Sequence, residues 1–317
     1  MKATLPMKAT LIATTALLGL TAVPALSQTV GISIPAATHG WAGALNFHAE
    51  RTVARLQEAN PDMQFVLTTT SDPGQQVSDL EDMVATRGID ALVVLPFESE
   101  PLTGPIARIA DSGVWVTVVD RGLSQEGIEN LYVAGDNDSF GRTAGQYFAE
   151  TLDEGAQVVV MRGIASTVDN ERVAGFEAAL EGSGVEIAAM DHGNWNRDTA
   201  FNLMQDWLSR FPEIDAVWAA DDDMAVGALA AIDQAGRAGE MFVVGGAGMK
   251  EMVDRIRNSD PTVPVNVTYP PSMISTAIEM TVLGLTAGAP MSGDFIIASE
   301  LITPDNADTF YFEDSPY

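Results

Sequence analysis

The chain of 317 residues has no cysteine, which excludes disulfide bonds, thiol catalysis and metal sites built from thiolates. Positive charge is scarce, because 16 lysines and arginines stand against 44 acidic residues and leave a formal net charge of -28. A surface this acidic repels phosphate backbones, so we expect no binding of nucleic acid. A hydrophobic fraction of 46% nevertheless indicates a globular protein with a real core.

The sequence also lacks the motifs of common enzyme classes. It contains no G-x-S-x-G elbow, no G-x-x-x-x-G-K-[ST] loop and no H-E-x-x-H pair. The glycines at 245–248 do not have G-x-G-x-x-G spacing, and none of the three histidines pairs visibly with a nucleophile. We therefore predict a protein that is not an enzyme and that needs no cofactor and no metal ion.

The first 27 residues have the pattern of an export signal. Lys2 and Lys8 precede an apolar run over about 11–23, and Ala25 and Ser27 give the small-x-small pattern that a signal peptidase recognises. The run is shorter than the roughly 20 residues that cross a bilayer. We predict cleavage after Ser27 and a mature protein in the periplasm.

Short apolar runs alternate with amphipathic stretches along the rest of the chain. The predicted strands are 30–35, 64–70, 90–96, 114–120, 131–135, 156–163, 185–191, 215–221, 241–246 and 263–269. The predicted helices include 42–59, 75–87, 139–152, 171–181, 198–210, 224–236 and 272–286. The strands are rich in β-branched residues and almost continuously apolar, as expected when helices cover both faces. This pattern predicts an α/β fold with parallel, doubly wound sheets.

Ten strands are many for one open sheet, so we predict two lobes. The chain is expected to cross between them near 134–136, 269–271 and 293–294. The N-terminal lobe then comprises 28–135 and 271–293, and the C-terminal lobe comprises 136–270 and 294–317.

Polar and aromatic side chains follow the predicted strands, and ligands of open α/β sheets bind at these carboxyl ends. The candidate site residues are His39, Trp41, Asp120, Arg121, Asn170, Arg172, Trp195, Asp221 and Tyr269. Aromatic rings stack on the C–H faces of sugars, whereas carboxylate, amide and guanidinium groups bond their hydroxyls. The mixture predicts a site for a neutral polyhydroxylated ligand.

Simpler structural roles are open to several of these residues. Trp41 and Trp195 could pack in the core, His39 could be a solvated loop residue, and Asp120 with Arg121 could form a surface ion pair. Their positions in polar loops at strand ends favour ligand contact.

Three consecutive acidic residues, Asp221, Asp222 and Asp223, end one predicted strand. We expect Asp221 to face the ligand and either Asp222 or Asp223 to cap the helix that starts near Met224. The remaining carboxylate is solvated or paired with a cation. A metal site is the alternative, but hard cations require six or more oxygens from a shaped loop.

Several motifs, in their order and spacing, resemble those of one family. They are VVDRG (118–122), GDNDSFGRTAG (135–145), NERVAGFEAAL (170–180), NWNRDTAFNLMQDWL (194–208), AVWAADDDMAVGAL (216–229) and VVGGAG (243–248). With these motifs the mature chain resembles periplasmic sugar-binding proteins of the ribose/galactose-binding type, the type I receptors of ABC transporters.

The resemblance implies two Rossmann-like lobes that are joined by a three-strand hinge and close on a sugar. It places eight residues in ligand contact, namely His39, Trp41, Asp120, Arg121, Arg172, Trp195, Asp221 and Tyr269. It also implies a membrane permease as partner, and we expect a monomer. A receptor that signals to a membrane chemosensor is the alternative, because it would use the same closed form. A sugar-responsive regulator would need a basic DNA-binding helix-turn-helix where this chain has an export signal.

One position departs from the family pattern and bears on the ligand. Such proteins usually have an aspartate where this chain has Ala247. Because a ligand hydroxyl at that point would lose its acceptor, we predict a pentose or a polyol of four to five carbons. A hexose is the alternative, if Asp222 or an ordered water replaces the missing carboxylate.

Overall fold

The computed structural model describes residues 28–288 and 291–317, and the predicted export signal at 1–27 lies outside them. The first structural unit is built on a six-stranded parallel sheet with the strand order β11-β5-β4-β3-β1-β2. Its strands are β1 (Thr29–Pro35), β2 (Gln64–Thr70), β3 (Ala91–Val94), β4 (Trp115–Val119), β5 (Leu131–Gly135) and β11 (Gly293–Ile297). Its helices are α1 (Gly40–Ala59), α2 (Pro73–Asp82), α3 (Ser99–Asp111) and α9 (Met273–Ala287). A short π-helical segment, Met83–Arg87, continues α2.

The second unit is built on a four-stranded parallel sheet with the order β7-β6-β8-β9. Its strands are β6 (Gln157–Arg162), β7 (Glu186–His192), β8 (Ala216–Ala219) and β9 (Phe242–Val244). Its helices are α4 (Asn137–Thr151), α5 (Thr167–Leu180), α6 (Arg197–Arg210), α7 (Asp222–Gln234) and α8 (Lys250–Arg257). An antiparallel pair, β10 (Asn266–Val267) and β12 (Leu301–Ile302), and the short helix α10 (Ala307–Phe310) complete the chain.

Side-chain caps fix where most helices of the second unit begin. Asp136, Ser166, Asn196 and Asp221 each accept a hydrogen bond from the backbone N–H three residues further on, at the starts of α4, α5, α6 and α7. Such caps satisfy N–H groups that have no partner within the helix. Each of these helices starts within five residues of the end of the preceding strand, at the carboxyl edge of a sheet.

The predicted α/β class, with two lobes built on parallel, doubly wound sheets, is confirmed. All ten predicted strands occur, although several are shorter than their apolar runs. The sequence pattern did not indicate β11 or β12, because β11 is an exposed edge strand and β12 has two residues. The helices named as examples from the sequence did not include α3, which contains Pro105, or the short α8 and α10.

Three segments connect the two units: the residues after β5, those between β10 and α9, and those between β11 and β12. Strand β11 pairs with β5 in the first sheet, so residues 294–297 bond to the first unit, although the predicted boundary placed them in the second. The lobe boundaries themselves stay a prediction. Within the described ranges, none of the helices has the length and apolarity needed to cross a membrane.

Candidate functional site

A cavity that is open to solvent, with about 410 Å³ of empty space when the opening is included, lies between the two units at the carboxyl ends of both sheets. It is lined by His39, Trp41, Asp120, Arg121, Val168, Arg172, Trp195, Asp221, Ala247 and Tyr269. Eight of the nine candidate residues thus meet in one place, as parallel strands that end at a common edge would bring them. Their role in ligand binding stays a prediction.

The structure does not bring Asn170 into this cavity. Its side chain is exposed, and its Oδ1 accepts a hydrogen bond of 2.8 Å from Nη2 of Arg162. Val168 lines the cavity instead, together with Arg172 one helical turn further along α5. The sequence analysis missed Val168, because an apolar residue near a helix start carries no chemical signal of its own.

Asp120 is held at the end of β4 by two tyrosines. Tyr269 Oη donates to Asp120 Oδ1 at 2.6 Å, and Tyr132 Oη donates to the Asp120 carbonyl oxygen at 2.7 Å. Burial and the Asp120 charge raise the pKa of Tyr269 well above its usual value, so its hydroxyl remains a donor. Asp120 has a φ of 60°, in the left-handed region that residues with side chains seldom adopt. The two tyrosine bonds hold this carboxylate in place against the cavity.

Arg172 lies buried with its guanidinium among aromatic rings. Its Nε donates to Asn137 Oδ1 at 3.0 Å, and its Nη1 donates to the Ala220 carbonyl oxygen at 2.6 Å. The guanidinium carbon is 4.1 Å from the centre of the Phe140 ring and 4.2 Å from that of Tyr269. Cation–π attraction is strongest for desolvated groups of this kind. The positive charge is therefore positioned before any ligand arrives.

Arg121 is the second cation of the cavity, and it is bonded to its own unit. Its Nη1 donates to the carbonyl oxygens of Pro96, at 2.9 Å, and of Phe97. Burial lowers its pKa, while the charge of Asp120 opposes that shift. Its buried Nε has no hydrogen-bond partner in the described part of the chain, so a donor is available to a ligand.

Two tryptophans line the cavity, one from each unit. Trp41, in the first turn of α1, donates from Nε1 to the Tyr269 carbonyl oxygen at 3.0 Å. Asn194 and Trp195 both have left-handed backbone conformations, with φ of 58° and 56°. This turn lays the Trp195 ring over Gly163, where a Cβ would lie 1.8 Å from a ring atom, so only glycine leaves room. Flat apolar faces of this kind suit the C–H faces of a sugar.

The first carboxylate of the acidic triplet caps a helix with one oxygen and leaves the other without a partner among the described residues. Asp221 caps α7, since its Oδ1 accepts the Met224 N–H at 2.8 Å. The prediction that Asp222 or Asp223 provides this cap was wrong, because the helix starts at Asp222 rather than near Met224. Asp221 Oδ2 lies buried and has no hydrogen-bond partner among residues 28–288 and 291–317. Burial raises the pKa of this carboxyl to about 6, as expected for a carboxylate oxygen without a donor.

Asp222 and Asp223 bond to other elements instead. Asp222 is fully buried, and its two oxygens accept from Asn266 Nδ2 at 2.6 Å and from the Met249 N–H at 2.7 Å. Asp223 Oδ1 accepts from Arg197 Nε at 2.7 Å, in agreement with the expected pairing of one carboxylate with a cation. The triplet thus has separate partners for each charge, which limits the repulsion between its members.

The side chains of His39, Asp221 and Asp223 offer ligand atoms within 4.8 Å of one another, as a metal site would require. Both oxygens of Asp223 and one oxygen of Asp221 already accept protein hydrogen bonds. A hard cation needs six to eight oxygens, and these residues do not supply them. That no metal binds stays a prediction.

The fold and the cavity together define a two-lobed α/β protein with a cavity between its lobes. Residues 30–288 match the family model described as periplasmic binding protein domain, and the chain belongs to this family. The resemblance deduced from the motifs is thereby confirmed.

The curated relatives are sugar-binding proteins rather than enzymes. The D-ribose/D-allose-binding protein of Pseudomonas aeruginosa is 31% identical over 181 residues, 55% of this chain and 56% of the relative. The ribose import binding protein of Bacillus subtilis is 30% identical over 210 residues, 66% of this chain and 67% of the relative. The xylitol-binding protein of Mycolicibacterium smegmatis is 27% identical over 241 residues, 75% and 64% of the two chains. The first match spans little more than half of the relative's length.

Two solved structures extend the similarity to nearly the whole chain. The Caulobacter myo-inositol binding protein, bound to myo-inositol, is 27% identical with a TM-score of 0.80, and the match covers 89% of this chain and 95% of that one. A Mycobacterium smegmatis ABC transporter solute-binding protein with bound glycerol is 25% identical with a TM-score of 0.82, covering 91% and 98%. These similarities confirm the type I periplasmic binding protein fold.

Proposed function

We propose that this protein is the substrate-binding component of an ABC transporter and that it captures a small neutral sugar or polyol between its two lobes. One observation carries the proposal: Asp221 Oδ2 is buried on the cavity wall with no donor among the described residues. A ligand hydroxyl supplies such a donor. Asp120, Arg172 and the rings of Trp41 and Trp195 surround the same space and offer the other contacts of a polyhydroxylated molecule.

Capture follows from lining residues that come from both units. A ligand that touches both favours the closed arrangement by its differential affinity for that state. The closed form is then recognised by a membrane permease. The protein acts as a monomer and needs no cofactor.

The preferred ligand is a pentose or a polyol of four to five carbons. Ala247 supports this preference, because it lines the cavity with a methyl group and so offers no side-chain acceptor to a further hydroxyl. The names of the relatives include ribose and xylitol, and one similar structure holds glycerol. Allose and myo-inositol also appear among them, so a six-carbon ligand is the alternative.

A thermal-shift screen followed by calorimetry tests the proposal. The panel contains D-ribose, D-xylose, xylitol, erythritol, D-glucose, D-galactose and myo-inositol. A ligand at a hundredfold excess over its dissociation constant stabilises the folded state by about 2.7 kcal/mol, a clear rise in melting temperature. No shift with any member would contradict sugar or polyol capture, and a large shift with glucose or galactose alone would contradict the preference for small ligands.

The periplasmic location has a separate test. The mature chain should begin at Gln28, after removal of residues 1–27. Intact-mass measurement of the protein from a periplasmic extract checks this, and retention of those residues on the exported protein would contradict it.

A further inference from the structure

Helix α1 begins at Gly40 without a cap from its own segment. His39 occupies the N-cap position but makes no side-chain hydrogen bond there, and the first turn of α1 contains no acidic residue. The N–H groups of a first helical turn have no partners inside the helix, and they attract negative charge. The start of α1 therefore lacks the group that caps α4, α5, α6 and α7.

The other unit supplies that group. Asp223 Oδ2, in the first turn of α7, accepts the backbone N–H of Gly40 at 2.8 Å across 183 residues of sequence. His39 Nδ1 lies 3.8 Å from the same oxygen. A carboxylate at a helix N-terminus is the arrangement that the helix dipole favours. Here the helix belongs to the first unit and the carboxylate to the second.

The carboxylate is fixed in its own unit before it meets α1. Asp223 Oδ1 accepts from Arg197 Nε at 2.7 Å, and the Asp223 side chain is 3% exposed. Burial by itself would raise the pKa of Asp223, but the neighbouring His39 and Arg197 hold it below its usual value. Asp223 is therefore ionised at neutral pH and oriented by Arg197.

The close approach depends on glycine at position 40. A Cβ on Gly40 would lie 2.9 Å from Asp223 Oδ2 and 3.1 Å from the Tyr317 ring, closer than such contacts normally are. The residues on either side of Gly40, His39 and Trp41, line the ligand cavity. Asp223 itself is not among the lining residues.

We propose that Asp223 caps α1 across the cleft and acts as the positioning residue that holds the two units closed. Through Gly40 it also fixes the backbone that carries His39 and Trp41 into the cavity. The role of this cap in ligand capture rests on the proposed function, but the hydrogen bond from Gly40 to Asp223 forms without a ligand. Part of the closed population should therefore persist in the ligand-free protein, and loss of the cap should speed ligand release.

The absence of cysteine allows a direct test in the ligand-free protein. Glu100→Cys on α3 and Asn202→Cys on α6 place one spin label on the exposed surface of each unit. Distances between the labels are measured in the Asp223→Ala and Asp223→Asn variants and in the unchanged background. The matched control is Asp138→Ala, which removes a first-turn aspartate of α4 that pairs with Arg142 inside one unit.

We expect Asp223→Ala to shift the distribution of label distances to longer values. Asp223→Asn keeps an acceptor for the Gly40 N–H, so its distribution should lie between those of Asp223→Ala and the unchanged background. Asp138→Ala should leave the distribution unchanged. With a ligand found by the screen, Asp223→Ala should raise the dissociation rate between about twofold and thirtyfold, the factor that corresponds to loss of a helix cap.

A second variant covers the case in which Asp223→Ala does not fold. Asp223→Ser keeps a polar side chain in the first turn of α7 but is too short to reach the Gly40 N–H, and it should open the units in the same way. Unchanged distances in whichever of these variants folds cooperatively would overturn the proposal. Because the distances are measured without sugar, that outcome would leave the proposed function standing.

Discussion

The cavity has two walls, and their carboxylates differ in how far the protein itself satisfies them. In the first unit, Asp120 accepts from Tyr269, and its carbonyl accepts from Tyr132. In the second, Asp221 uses one oxygen to cap α7 and keeps the other buried with no donor within the described residues. The carboxylate of the first wall is thus held by the protein, whereas we propose that the ligand completes the hydrogen bonds of the carboxylate in the second.

The two arginines differ in the opposite sense, because Arg121 keeps a buried Nε without a partner among the described residues, whereas Nε and Nη1 of Arg172 both bond to the protein. Arg121 is bonded to carbonyl oxygens of its own unit, at Pro96 and Phe97. Arg172 stacks on Tyr269, from a segment that connects the units, and bonds to Asn137 and Ala220. Arg172 therefore links the second wall to the connecting segment, and we expect its removal to have one of the largest effects on binding.

The largest effect is expected when Arg172 is removed. Arg172→Ala should weaken binding by about tenfold to more than a hundredfold, because hydrogen bonds to charged groups contribute about 1.5–3 kcal/mol. Asp120→Ala should weaken it by a comparable factor. Calorimetry with the best ligand of the screen measures both. Arg142→Ala, an exposed arginine on α4, is the matched control. Unchanged affinity in both cavity variants would contradict the assignment of this cavity as the ligand-binding site.

The Asp221 carboxylate should make binding depend on pH. Burial raises the pKa of this carboxyl to about 6 in the free protein, even though Oδ1 accepts the Met224 N–H. A ligand hydroxyl that donates to Oδ2 favours the ionised form, so binding should release a proton and strengthen by about tenfold from pH 5 to pH 7.5. Asp221→Asn should bind more weakly and lose most of this dependence. Equal pH profiles for the two proteins would contradict the role of Oδ2.

The Asp221 carboxyl should also make the stability of the ligand-free protein depend on pH. This dependence is opposite in sign to that of binding, because stability falls as the pH rises. A raised acid pKa means that the folded state holds its proton more tightly than the unfolded state. The stabilisation that the bound proton gives to the folded state is fully present below about pH 4, and it is lost as the pH rises through about 6. Thermal unfolding over this pH range should show this loss of stability in the unchanged protein but not in Asp221→Asn. A bound ligand should reduce the loss.

A smaller effect is expected from the aromatic wall. Trp195→Ala should weaken binding by about twofold to tenfold, since stacking of aromatic faces contributes about 0.5–1.5 kcal/mol. Trp195→Phe keeps an apolar face and should retain most of the affinity. If calorimetry gives the alanine variant full affinity, Trp195 is a packing residue only.

The smallest effect on affinity is expected at Asn170, on the face of α5 outside the cavity. Asn170→Ala should change the affinity by less than about twofold, because the side chain lies outside the cavity and bonds to Arg162. A loss comparable to that of Arg172→Ala would show that Asn170 reaches the ligand in the bound state.

The pair Asn170 and Arg172 also shows what the sequence could and could not predict. That both follow β6 is evident from the apolar run before them, and parallel strand ends converge at one edge. Residues two apart on a helix lie on different faces, whereas Val168 and Arg172, four apart, share one. Because α5 starts at Thr167, before the predicted 171, the inward face was misjudged and Val168 was missed.

The prediction of roles within the acidic triplet was limited by the same uncertainty about where helices start. Which of three consecutive carboxylates caps α7 depends on a shift of one or two residues that apolar patterning does not resolve. The bond from Asp223 to Gly40 depends on how the two units meet, which no local pattern contains. In contrast, the predicted strand ends at Asp120 and Asp221 lie within two residues of the observed ends at Val119 and Ala219, because a long apolar run ends abruptly at each.

A crystal structure of the protein with the best ligand of the screen tests the central claim most directly. We predict one sugar or polyol molecule between Trp41 and Trp195, with a hydroxyl that donates to Asp221 Oδ2 and further hydroxyls bonded to Asp120 and Arg172. A ligand bound outside this cavity, or bound inside it with Asp221 Oδ2 still lacking a donor, would contradict the claim.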